Sequence, residues 1–118
     1  MPTLKTMTID EYQIWTRSTA VYPGADTGDD REKTYLVLGL NDEAGEVAGK
    51  RKKILRGDPG AKATEKEDMR AELGDVMYYL ARSADAYDIT MTELMEDNYS
   101  KLEDRKSRDQ LKGSGDKR

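Results

Sequence analysis

Two pairs of acids constrain this chain more than any other feature: Glu43-Ala-Gly-Glu46 and Glu72-Leu-Gly-Asp75. Each pair is spaced i, i+3, which on a helix sets both carboxylates on one face, roughly 5–6 Å apart at Cβ. Each pair also borders the apolar stripe of its helix. At a helical repeat of about 3.6 residues, Leu36, Leu40, Glu43 and Val47 share one face, with Glu46 at its edge. Around Glu72 the neighbours on its face are Met69, Val76, Tyr79 and Ser83, with Asp75 at the border. The chain is therefore expected to pack two long helices with carboxylates at their interface. Such groups repel one another and resist burial unless a cation sits among them. A divalent metal ion is the simplest candidate.

Composition narrows which ion and which chemistry. The sequence has no His and no Cys. That excludes zinc sites of the usual kind, Ser–His and Cys–His catalysis, and the Glu-x-x-His ligand sets of di-iron bundles. All-oxygen ligation suits hard cations, Mg²⁺ first, with Mn²⁺ or Ca²⁺ as substitutes. Mg²⁺ held by a few carboxylates commonly completes its shell with phosphate oxygens, which points to a phosphorylated substrate. At 118 residues the chain is expected to be one domain. With 36% hydrophobic residues and no Phe it has little apolar surface to bury, so a homo-oligomer that completes the core is expected. The net charge of −4 argues against nucleic acid or an anionic membrane as partner. No apolar run approaches membrane-spanning length and the N-terminus has no signal-peptide stretch, so the expected location is the cytoplasm.

The pattern predicts an all-α fold of four helices over residues 1–108, followed by a flexible polar tail, 109–118. Thr8-x-x-Glu11, Thr64-x-x-Glu67 and Thr90-x-x-Glu93 have the spacing of capping boxes and mark three helix starts. The remaining helix begins near Asp29 or Asp30, after a Pro-, Gly- and Asp-rich loop, and ends before Gly57-Asp-Pro-Gly60. Gly39, Gly45 and Gly49 lie inside it, each costing about 1 kcal/mol relative to Ala. They read as points of close approach by another helix or a ligand.

Taken singly, an acid pair is a weak signal, because 37% of the residues are charged and most such pairs decorate a solvated face. The weight comes from both pairs lying at an apolar border with Gly directly before the second acid. Other acidic and glycine-rich stretches carry nothing comparable. Asp85-Ala-Tyr-Asp88 lacks the ligand spacing and central Gly of a calcium loop, and Gly57–Lys62 lacks the spacing and preceding strand of a P-loop. Asn98, Lys101 and Arg105 share a face of the last helix with Met91, Leu94 and Leu102. Their ordinary roles are a core hydrogen bond and solvated charge, yet phosphates need such donors. Lys50, Lys53 and Arg56 follow the first acid pair at helical spacing, near a helix C-terminus where cations are favoured in any case. Lys53 is retained as a substrate contact; for Lys50 the bland reading prevails. Among the aromatics Tyr79, on the Glu72 face, is the best candidate to stack on a base.

Glu43-x-x-Glu46, 25 intervening residues and Glu72-x-x-Asp75 resemble the motif of the MazG-like nucleoside triphosphate pyrophosphohydrolases, an all-α family. Leu38–Ala48 and Ala71–Val76 are similar to that family's two core helices, and Asn98-x-x-Lys101 with Arg105 to its downstream phosphate-binding stretch. The resemblance spans about residues 8–108. It implies hydrolysis of a nucleoside triphosphate at the α–β bond, giving the monophosphate and pyrophosphate. Glu43, Glu46, Glu72 and Asp75 would then hold Mg²⁺, with Glu46 as general base and Glu43 or Glu72 as alternatives. Lys101 and Arg105 would hold pyrophosphate, and Asn98 a phosphate or a sugar hydroxyl. The resemblance also implies a dimer or tetramer. Thr19-Ala-Val-Tyr-Pro23 is similar to bacteriophage versions, some of which resemble enzymes that remove a purine deoxynucleotide such as dGTP; the host cytoplasm would then be the compartment. The competing reading is a helical adaptor that binds a nucleotide or alarmone without turning it over.

Overall fold

The computed structural model describes residues 4–118. Four helices make up the fold, and among the described residues there is no strand: α1 spans Ile9–Thr16, α2 Asp30–Arg56, α3 Glu65–Ala86 and α4 Met91–Ser107, with a 3-10 turn at Arg17–Thr19 after α1. None of these helices is long and apolar enough to cross a membrane.

Local chemistry sets the helix ends. Thr8 and Glu11 cap α1 reciprocally, each side chain accepting from the other's backbone N–H, and Thr90 and Glu93 do the same for α4. Asp29 caps α2 by accepting from the Glu32 N–H at 3.0 Å. At the other end Gly57, at φ +83°, adopts the left-handed turn that a side chain would resist, and α2 stops there. The third expected capping box does not form. Thr64 precedes α3, but its hydroxyl donates to the Asp68 carboxylate at 2.8 Å instead of accepting from the backbone.

α2 and α3 form an antiparallel pair that dominates the packing. Gly39 is a point of close approach, as expected: a Cβ there would fall inside the van der Waals envelope of the Tyr79 ring. Leu36 and Ala81 are fully buried within this pair. α1 and the start of α4 close the bundle end, where Ala81, Ala84 and Met91 cluster with Tyr12, Ile89 and Leu94. The buried Gln13 amide locks this corner, donating to the carbonyls of Ile89 (2.8 Å) and Ala81 (3.3 Å) and accepting from the Met91 N–H (3.1 Å). Beyond this corner the core is thin. Leu38, Leu73, Met95 and Tyr99 are each more than half exposed.

Candidate functional site

The antiparallel register of α2 and α3 brings the acid pairs together. One carboxylate oxygen from each of Glu43, Glu72 and Asp75 lies within 4.8 Å of the others. Glu43 and Glu72 are half-buried, Asp75 is exposed, and Glu46 lies one turn along α2 on the exposed side of this group. Burial raises the Glu43 carboxyl above its ordinary range, and the charges of Asp75, Asp42, Glu72 and Glu46 push it further up. Glu46 is thus within electrostatic reach of Glu43, although it is not one of the three clustered carboxylates. An all-oxygen, net-negative donor set of this kind fits a hard divalent cation.

Tyr79 borders the cluster from α3. Its ring fills the space opposite Gly39, one helical turn before Glu43, and meets Tyr78 edge-on at 5.4 Å. Its hydroxyl is pushed up to about 12 by burial first, then by Tyr35 and by the Glu43 charge. From α1, Tyr12 reaches the same region: burial raises its hydroxyl first, and Tyr78 and Asp75 add to the effect. Tyr12 stacks on Trp15 with ring centres 6.0 Å apart.

The cations divide unequally. Lys50 Nζ stands 3.9 Å from Glu72 Oε1, and among the described residues it is the one cation within ion-pair distance of the three clustered acids. Sequence reasoning left Lys50 aside because a helix C-terminus accounts for a lysine there; only the pairing with α3 reveals its neighbour. Lys53 and Lys50 both line a groove of about 360 Å³ between the end of α2 and the start of α3. The last-helix residues are elsewhere. α4 is anchored by Met91 and Leu94, and Asn98 and Lys101 are exposed farther along it. Among the described residues no hydrogen bond or ion pair joins Asn98, Lys101 or Arg105 to the acids. Arg105 is buried against the chain's own tail, donating to the carbonyls of Asp116 (2.6 Å) and Gly115 (3.4 Å), and Lys101 pairs with Asp116 at 3.2 Å.

A second charged centre went unnoticed in the sequence. Arg82 and Glu32 are each 1% exposed and lie 3.6 Å apart. Glu32 accepts from the Tyr22 hydroxyl (2.7 Å) and from the Asp26 and Gly28 N–H groups (both 2.9 Å), which pins the 20–29 loop onto α2. Burial opposes ionisation of Glu32, but these hydrogen bonds and Arg82 outweigh it and hold its carboxyl below the ordinary range. Arg82 also reaches Asp85 at 2.7 Å, and Arg17 binds the same carboxylate with two nitrogens. The adjoining cavity of about 550 Å³ is larger than the groove at Lys53, but the buried charges that border it are already paired with one another.

Comparison with known proteins agrees with this arrangement. The model of the family described as MazG nucleotide pyrophosphohydrolase domain matches residues 31–108, which contain all four acids. The Gene 37 protein of Mycobacterium phage L5 is 46% identical over 114 residues, covering 95% of this chain and all of that protein. No solved structure matches the chain.

Proposed function

Since the chain belongs to the MazG nucleotide pyrophosphohydrolase domain family, we propose that it hydrolyses a nucleoside triphosphate at the α–β bond, releasing the monophosphate and pyrophosphate. The observation that carries this reading is the convergence of Glu43, Glu72 and Asp75 across the α2–α3 interface inside the matched region. These three would hold Mg²⁺, or Mn²⁺ in its place, with Glu46 adding a carboxylate from the exposed side. Bound there, such a cation would neutralise phosphate charge and lower the pKa of a water molecule.

The chain's own residues then have distinct tasks. Glu46, exposed and beside the cluster, accepts the proton of the attacking water. Tyr79 offers a ring face at the wall of the site, and Lys53 a charge in the adjoining groove. Asn98, Lys101 and Arg105 bind phosphate and sugar oxygens; because they do not meet the acids within one chain, this role belongs to a homo-oligomer, dimer or tetramer. The thin core and the exposed Leu38, Leu73, Met95 and Tyr99 support such an assembly. The preferred substrate in this reading is a purine deoxynucleotide, dGTP first, and the setting is the cytoplasm, that of the host if a phage encodes the protein.

Glu46→Gln and Asp75→Asn test the assignment. Each is expected to lower Mg²⁺-dependent pyrophosphate release on the order of 100-fold, the scale of losing one group that stabilises transition-state charge. Thermal unfolding and assembly mass should be unchanged. Full activity in both variants would remove these residues from the reaction.

A further inference from the structure

Lys50 is the one described cation beside the clustered acids, and its pairing is loose. At 3.9 Å from Glu72 Oε1 it makes an ion pair without a hydrogen bond, and its side chain is 29% exposed. A lysine so placed retains both a compact charge and the reach of a four-carbon stem. The groove it lines leads away from Glu72 toward Lys53. The acids of that groove are already engaged: Asp58 by Arg56, Glu65 by Arg51, and Asp68 by the Thr64 hydroxyl. The Lys53 ammonium group has no hydrogen bond or ion pair among the described residues, although its charge is felt at Asp58. The Thr64 hydroxyl is a neutral partner, so Asp68 on the α3 side has no counter-charge among the described residues; on the α2 side the groove offers the two lysines, and a chain of phosphates starting at the acids would run past both.

We propose that Lys50 is a substrate-binding residue shared between Glu72 and the β,γ-phosphates, so that the groove from Lys50 to Lys53 receives the pyrophosphate end of the substrate. With a divalent cation held by Glu72, the Lys50 ammonium group would lose its hold on the carboxylate and be free to meet phosphate. This deepens the reading above and rests on Glu72 being an ion-holding carboxylate.

The test compares the wild-type chain with Lys50→Met, Lys50→Gln and Lys50→Arg. Mn²⁺ binding to the nucleotide-free protein is followed by electron paramagnetic resonance, and pyrophosphate inhibition and KM are measured separately. Losing the competing ammonium should tighten Mn²⁺ binding about threefold to tenfold in the Met and Gln variants. In the same variants KM and the pyrophosphate inhibition constant should rise about tenfold with kcat little changed, the scale of one charge-assisted contact. Lys50→Arg should restore both in part. Wild-type Mn²⁺ affinity and wild-type pyrophosphate inhibition in the Met and Gln variants would overturn the role of Lys50 while leaving the ion site intact. Absence of Mn²⁺ binding by the wild-type chain would instead overturn Glu72 as an ion ligand, and the proposal with it.

Discussion

Arg82 and Glu32 are almost fully buried, and a charge pair so placed is stable only while both members and their hydrogen bonds are present. Replacing Arg82 with Met strands Glu32 without its counter-charge and also deprives Asp85 of a partner. The expected loss is about 3–5 kcal/mol, read from denaturant unfolding. A loss below about 1 kcal/mol would show that the pair is dispensable. The same groups set the acid limit. The carboxyls of Glu32 and Asp85 are held below their ordinary range, Asp85 chiefly by its hydrogen bond from Arg17. Their contribution is fully present above about pH 5, where the unfolded chain's carboxyls are also ionised, and falls away as pH drops through the lowered folded-state values. At this scale the sequence was legible where periodicity governs: stepping around a helix puts Glu43 and Glu72 on the interface and Asp75 at its border, as the half-buried pair and the exposed Asp75 show. It was silent about Arg82, whose partners Tyr22, Asp26 and Glu32 come from a loop and a helix start at least fifty residues away. Helical spacing carries no trace of such a contact.

The four helices follow from capping and breaking signals, which act over a few residues and so are readable. Thr8 and Thr90 cap as their spacing implies. Thr64 does not, because Asp68 lies one turn on and takes its hydroxyl; the choice between two nearby acceptors is decided by backbone geometry at Thr64. Glycine inside α2 was read as space for a neighbour, and Gly39 bears this out through Tyr79. Gly45 and Gly49 have nothing within 4 Å of an added Cβ in the single chain. The close approach expected at these two positions is not made within the chain. Gly39→Ala should therefore cost about 1–3 kcal/mol by overpacking against the ring, offset in part by a gain of about 1 kcal/mol in helix propensity. Gly45→Ala should stabilise the isolated chain by about that gain. Urea unfolding of the two variants separates them, and equal midpoints would contradict the close approach.

As a whole molecule the chain is an acidic helical scaffold whose α2–α3 pair presents three converging carboxylates beside one loosely held lysine. The fold class was readable from the absence of strand alternation and the strength of the helical pattern. The position of α4 was not. Sharing a face with apolar residues suggested that Asn98, Lys101 and Arg105 turn toward the bundle, yet the helix is anchored only at its start and its far end meets the tail. Length, not pattern, carries those residues away from the acids. The central claim remains the chemistry at the α2–α3 interface. Its most direct measurement is an incubation with Mg²⁺ and each of the four dNTPs and four NTPs, with nucleotide and phosphate products resolved by chromatography. Monophosphate and pyrophosphate in equal amounts, fastest with a purine deoxynucleotide, is the predicted result. Diphosphate with inorganic phosphate, or bound nucleotide with no turnover, would contradict it.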